Sequence, residues 1–308
     1  MRIGVIGRTK MLCESARCLS ESGHSISFVY TCADEHHYDW PSSEFEALSQ
    51  ETNALFYNDL LIEDRAEVLM GTATDICISV NWLTRLPGTF INIFPHGIIN
   101  AHAGDLPRYR GNACMNWAIL NDEKEVCMSV HSMTETIDAG PVYLKNYYQL
   151  ATDTYIKDLY DWTERVVPSM FCEVIARIEK DGLSPTPQDP SQVVLRTFTR
   201  KPEDARIDWK NPTQEIHRLI RASSHPFDGA LASTEDGQIV RILRAEPYLP
   251  GYQFLAIPGQ VCEVIGGRPL VACGGTSEML LVTEAYVDNM SLKESMNILC
   301  KSLRNRLK

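Results

Sequence analysis

RIGVIGRTKMLCESARCLSESGHSISFVY, residues 2–30, holds two unlike periodicities in one run. RIGVI is a short apolar stretch that stops at Gly7. From Lys10 to Ser22 the period becomes helical: Leu12, Ala16 and Leu19 share one face, and Gly23 ends the pattern. HSISFVY then reads as a second strand. Further along, ALFY begins at Ala54, Asp59–Met70 reads as helical with Leu61, Ala66 and Leu69 as buried positions, and DICISV is a fourth strand. Strands alternating with helices predict an α/β, Rossmann-like domain with a doubly wound, mainly parallel sheet.

The first turn tests one specialised version of that fold. GVIGRTK is GxxG, whereas a dinucleotide fingerprint needs GxGxxG. No acidic residue clearly ends the second strand, where VYTCADE runs into a loop. Gly4 and Gly7 are therefore read as permitting a tight strand-to-helix turn.

Downstream, the strand in FINIFPHGIINAHAG ends with Asn100 and His102. MNWAILND reads as a helix, and VCMSVHSM and VYLKNYYQL as strands. Asp153 is placed to cap a long helix that runs to Lys180, with Gly182 just past its end. LSPTPQDPSQ, residues 183–192, carries three prolines and reads as a linker. The expected domains are 1–190 and 200–308. In the second, PTQEIHRLIRASS is helical, HPFDGA is a turn, and QIVRILRA, GQVCEVIGG, PLVACG and MLLVTEAYV are short strands of a small β-barrel. Ser291 and Glu294 form a capping box. Leu292, Met296, Leu299, Leu303 and Leu307 make a stripe on the terminal helix, suited to tail packing or to a homodimer contact.

The 308 residues carry a formal charge of −11. Residues 200–308 hold 14 Lys+Arg against 13 Asp+Glu, so the acidity lies in the first 199. Such a chain is a poor general nucleic-acid binder, because phosphate contacts need Lys and Arg. The ten cysteines form no CxxC and no zinc-type spacing, so no metal is expected. No stretch approaches the 18 or so apolar residues of a membrane span. The reading is a soluble, cytoplasmic protein.

NAHAGDLPRYRGNAC, residues 100–114, is too irregular for a helix or strand after its first residues. Asn100 and His102 sit two apart on an extended segment, so both project to one side. A neutral His can take a proton, and an Asn amide can donate to a developing oxyanion. A carboxylate to orient the imidazole is offered by Asp138 in HSMTETIDAGPVY. The three fit acyl transfer to an amine. There is no GxSxG, and Cys114 shows no helix-start context, so direct attack by a substrate amine is the simpler route.

NAHAGDLPRYRGNACMNWAIL followed by VHSMTETIDAG resembles the signature of the folate-dependent formyltransferases. The resemblance covers most of residues 1–190. It extends more loosely to IPGQVCEVIGGRPLVACGG, which resembles the OB-like C-terminal domain of the larger members. It implies that Asn100, His102 and Asp138 are catalytic and that N10-formyltetrahydrofolate is the formyl donor. His102 would accept the amine proton, and Asp138 would orient His102 and raise its pKa. Trp82, Leu86 and Pro87, with the backbone around Ile99 and Ile137, would line the donor's pterin pocket. Arg108, Tyr109, Arg110, Gly111 and Asn112 would lie near the acceptor. Ala103, Gly104 and Asp105 depart from the Pro-Ser-Leu that the tRNA-modifying members carry after the His. That loop and the charge balance favour the sugar N-formyltransferase branch, with a nucleotide-linked 4-amino-4,6-dideoxy sugar as acceptor and surface-glycan biosynthesis as its setting. Methionyl-tRNA is the alternative acceptor. His131 reads as a packed residue beside the site, not a second base.

Overall fold

The computed structural model describes residues 1–32, 40–275 and 277–308; Asp34 and Glu35 of VYTCADE lie outside the described residues. The chain divides into two compact units. The first comprises Met1–Cys114, Glu125–Gln149 and Tyr160–Phe198, and the second Met115–Lys124, Leu150–Leu159 and Thr199–Lys308.

The first unit opens with β1 (Arg2–Gly7), α1 (Lys10–Glu21) and β2 (Ser25–Thr31). α2 (Ser42–Thr52), β3 (Leu55–Asn58), α3 (Ala66–Met70), β4 (Ile76–Val80), α4 (Gly88–Ile91) and β5 (Ile98–His102) follow. β7 (Glu125–Ser132) and β8 (Val142–Gln149) complete a seven-stranded sheet ordered β3-β2-β1-β4-β5-β7-β8. The first five strands are parallel, and β7 and β8 each run antiparallel to the strand before them. β6 (Arg110–Gly111) pairs in parallel with β9 (Arg196–Thr197) as a separate two-stranded ribbon.

The expected first crossover is present, and Leu12, Ala16 and Leu19 of α1 are fully buried. Gly4 is required by packing: a Cβ there would meet the Phe28 ring and the Cys77 sulfur from the neighbouring strands. Gly7 has φ +139°, and a Cβ would land on the Val80 carbonyl. Both glycines therefore serve sheet packing and the turn. The stretch 59–70 is less regular than its pattern suggests. Leu61 is exposed, and the α-helix starts only at Ala66, because Asp59 folds back to accept from the Leu61 N–H at 2.8 Å.

Two segments depart from the expected boundaries. α5 (Cys114–Leu120) and the start of α6 (Ile156–Asp181) belong mostly to the second unit by their contacts. Buried bonds hold them there: Asn116 donates to the Ala222 carbonyl at 2.9 Å, and the Tyr155 hydroxyl donates to the Ala245 carbonyl at 3.1 Å. α6 starts at Ile156, with Asp158 rather than Asp153 accepting a backbone bond, from Tyr155 N–H at 2.8 Å. The proline-rich 183–192 is docked rather than free, since Thr186 and Val142 exchange two backbone hydrogen bonds of 2.8 Å.

The second unit contains α7 (Thr213–Ser223), β10 (Ala230–Ser233), β11 (Ile239–Tyr248), β12 (Val261–Ile265), β13 (Arg268–Ala272), β14 (Met279–Val287) and α8 (Leu292–Cys300). Its five-stranded antiparallel sheet is ordered β10-β11-β14-β13-β12. Trp209, Ile216, Ile220, Val240, Val282 and Leu299 share its core. The capping box forms as expected, with Ser291 N–H donating to Glu294 at 3.0 Å. The leucine stripe does not persist: α8 stops at Cys300, Leu303 is exposed, and Leu307 is buried against this unit's own core. Among the described residues no helix is long and apolar enough to cross a membrane.

Candidate active site

β5 carries Asn100 and His102 at alternate positions, which puts both side chains on one face of the sheet. β7 runs antiparallel beside it, with Asn100 opposite His131 and His102 opposite Ser129. The tip of the loop after β7 brings in Asp138, held at φ +51°. Asp138 Oδ2 lies 3.7 Å from His102 Nδ1, and its Oδ1 lies 3.7 Å from His131 Nε2. The Gly111 N–H donates to Asp138 Oδ2 at 2.8 Å. The three residues singled out by the sequence thus converge, together with one that it missed as a participant.

That fourth residue is His131. Its ring is buried and bonds through Nδ1 to the Ser132 carbonyl at 2.8 Å. A neutral ring must then carry its proton on Nδ1, leaving Nε2 to accept from the Asn100 amide at 3.3 Å. Desolvation, reinforced by the charge of His102, lowers its pKa to about 4, so it stays neutral. His131 therefore fixes which way Asn100 points and leaves one amide N–H of Asn100 free to donate. The register opposite Asn100 is the signal that reveals it, and register is set by the sheet.

His102 is in the opposite condition. Burial alone would lower its pKa, but Cys114 and Asp138 outweigh this and push it up to about 10. Its Nε2 lies 2.7 Å from the Tyr109 carbonyl and Nδ1 faces Asp138, so each nitrogen has an acceptor for a proton. A ring that works as a base must start neutral, and these neighbours favour its charged form. Cys114 opens α5, contrary to expectation, and its buried sulfur is 3.7 Å from His102 Nε2 and 3.1 Å from the Tyr109 carbonyl.

The acceptor-side loop is built closely around this ring. A Cβ at Gly104 would press on His102 Nε2 and the Tyr109 carbonyl. Asp105 accepts from Lys145 at 2.7 Å and from the Tyr147 hydroxyl at 3.0 Å, which anchors the loop to β8. Tyr109 is buried at φ +60° and offers its carbonyl rather than an open ring. Arg108 lies over the Tyr109 ring at 5.6 Å. Arg110 donates twice to Gln188, at 3.1 and 2.5 Å. Asn112 is exposed and its N–H bonds the Thr197 carbonyl at 3.1 Å.

The donor-side residues are only partly gathered. Trp82 stands edge-on to Tyr30 at 5.6 Å, and Leu86 packs in the same apolar cluster. Pro87 precedes α4. Arg85 donates to the Glu135 carbonyl at 2.7 Å, and the Gly88 N–H donates to the Glu135 carboxylate at 3.0 Å, which ties this loop to the one bearing Asp138. Ile137 is half-exposed beside Asp138. Ile99 is fully buried, and its side chain faces away from Asn100 and His102. Thr9 Oγ1, Ser79 Oγ and Asn81 Nδ2 are buried without hydrogen-bond partners among the described residues. They lie at or just past the carboxyl ends of β1 and β4, where the strand order reverses and open α/β sheets take their ligands. Among the described residues no group of three or more His, Cys, Asp or Glu could hold a metal ion.

Residues 16–175 match the family described as Formyl transferase, and residues 200–298 match Formyl transferase, C-terminal domain. A methionyl-tRNA formyltransferase of Anaeromyxobacter dehalogenans is 26% identical over 309 residues, covering 97% of this chain and 96% of the relative. An N-formyltransferase from Helicobacter canadensis, solved with folinic acid and dTDP-3-aminofucose, is 16% identical with a TM-score of 0.67, covering 91% of this chain and 98% of that one. HypX from Aquifex aeolicus, solved with tetrahydrofolic acid, is 20% identical with a TM-score of 0.64, covering 92% of this chain and 44% of that one. With both family domains matched in order along its length, the chain belongs to the folate-dependent formyltransferase family.

Proposed function

We propose that this enzyme moves a formyl group from N10-formyltetrahydrofolate to the amine of a nucleotide-linked 4-amino-4,6-dideoxy sugar. The observation that carries the transfer chemistry is that Asn100 and His102 share one face of the sheet and the loop residue Asp138 meets His102 there. The donor side suits a flat heterocycle with hydrogen-bonding edges: Trp82, Leu86, Pro87 and Ile137 would provide its walls. When bound, the folate supplies the formyl carbon. The free amide N–H of Asn100 donates to the oxyanion that develops as the amine attacks. His102 in its charged form adds a positive field there, and Asp138 takes the proton from the attacking nitrogen and returns it to the departing N10 of tetrahydrofolate as the bond between N10 and the formyl carbon breaks. This division differs from the expected role of His102 as base, because Cys114 and Asp138 favour the charged ring against the opposing effect of burial.

The acceptor is read from charge. Arg110 and Arg196 are direct partners in the β6–β9 ribbon, and neither has an ion-pair partner among the described residues. Two adjacent cations on an otherwise acidic chain suit a diphosphate better than a long phosphate backbone. Methionyl-tRNA is the second reading, favoured by the full-length likeness to the Anaeromyxobacter dehalogenans protein. Formyl transfer from N10-formyltetrahydrofolate, assayed with dTDP-, UDP- and GDP-linked 4-amino-4,6-dideoxy sugars and with Met-tRNA, decides between them. Turnover with a nucleotide sugar and none with the tRNA is expected; the reverse result overturns the sugar reading and leaves the transfer chemistry standing.

A further inference from the structure

We infer that Gln188, within the proline-rich stretch 183–192, is a positioning residue that sets the Asp138 carboxylate against His102 and couples it to Arg110. All the polar capacity of its amide is turned on the site. Nε2 donates to the Asp138 carbonyl and to the Gly140 carbonyl, both at 2.8 Å. Oε1 accepts both bonds from Arg110, at 3.1 and 2.5 Å. Each acceptor is consequential. Asp138 sits at φ +51°, a conformation an L-residue holds only when its surroundings fix it. Gly140 is pressed so closely on the Ser132 carbonyl that a Cβ would not fit. Gln188 therefore bridges the two ends of the Asp138 turn from outside. It reaches them because Thr186, two residues earlier, is paired with Val142 at the start of β8.

Gln188 touches neither His102 nor the carboxylate of Asp138, so it acts through backbone. The groups that face His102 are Asp138 from its loop, Cys114 and the Tyr109 carbonyl from the acceptor-side segment, and His131 from β7; Arg110 adds a charge nearby. Of the charged groups, Asp138 and Arg110 are both placed by Gln188. Releasing the clamp frees the turn to relax from positive φ, which swings the carboxylate away from the imidazole. Displacement of a supporting group by about 1 Å costs on the order of 10²-fold in rate.

The inference rests on the proposed catalytic role of Asp138, and two readouts keep their failures apart. Gln188→Met removes all four bonds at nearly constant length. Gln188→Glu keeps an acceptor for Arg110 but cannot donate to the two carbonyls. Protein labelled with 15N-histidine, free of substrate, reports the titration of the His102 ring, assigned with His102→Ala. Both variants are expected to lower its midpoint by at least about one pH unit relative to wild type. Both are also expected to lower kcat on the order of 10²-fold with a smaller change in acceptor KM. An unchanged His102 midpoint in the variants overturns the clamp whatever the activity. A wild-type enzyme that formylates nothing overturns the proposed function while the titration still tests the clamp. If Gln188→Met fails to fold, Gln188→Glu alone decides, and wild-type behaviour of that variant overturns the inference.

Discussion

At the scale of single residues, the site is two histidines with oppositely shifted pKa values around one carboxylate. His102 sits with Asp138 and Cys114, which favour a second ring proton; His131 is buried beside that ring and is held neutral. His102→Ala and Asn100→Ala should each lower formyl transfer by about 10²–10⁴-fold. His131→Ala should cost about 10–100-fold, because it removes the partner that aims Asn100 rather than a reacting group. Steady-state rates on the three variants check that order. The same pKa shifts predict two windows of pH-dependent stability. The raised pKa of His102 gives stability that is full below about 6.5 and is lost as pH rises toward about 10. The lowered pKa of His131 does the reverse on the acid side, where stability falls as pH drops from about 6.5 to about 4. Urea unfolding from pH 4 to 10 should show both slopes, and His131→Phe should flatten only the acid one.

At the scale of elements, close backbone approach fixes the site more than side-chain packing does. Added Cβ atoms at Gly111 and Gly140 would collide with the carbonyls of Thr197 and Ser132. Gly23 also has positive φ, +92°, but open space around it. Gly140→Ala and Gly111→Ala should destabilise by about 1–3 kcal/mol and Gly23→Ala by about 1 kcal/mol. Denaturant midpoints measure the difference. Activity should fall with the first two and stay near wild type in Gly23→Ala, since only the first two shift the turn around Asp138. The strand β5 was legible because its alternation is strict. The partner strand was legible too, but the pairing of Asn100 with His131 was not, since one residue of register changes every opposite pair.

At the scale of the whole molecule, the charge of −11 bears on the acceptor. An enzyme that holds only a diphosphate through Arg110 and Arg196 should show a KM for its acceptor that rises by roughly tenfold or less between 50 and 200 mM salt. A backbone-tracking tRNA enzyme with six or more phosphate contacts should lose about 10³–10⁵ in affinity over the same range. Initial rates across that salt series read the difference directly. The family domains match in order on both sides of residues 183–192, so that segment had every sign of a plain connection. Its docking on β8 shows why composition misled: prolines exclude a helix there, but they do not prevent an extended strand-edge contact.

The sequence by itself determined the alternation of strands and helices, the parallel sheet, and the placement of Asn100 and His102 on one face. These follow from local periodicity, which neighbouring residues encode without reference to anything distant. The tertiary structure alone decided that His102 meets Asp138 and Cys114, that His131 aims Asn100, that α5 and the start of α6 cluster with the second unit, and that Gln188 reaches Asp138. Each of these depends on atoms dozens of residues apart meeting within a few ångströms. Desolvation, register and backbone approach exist only once the chain has closed on itself.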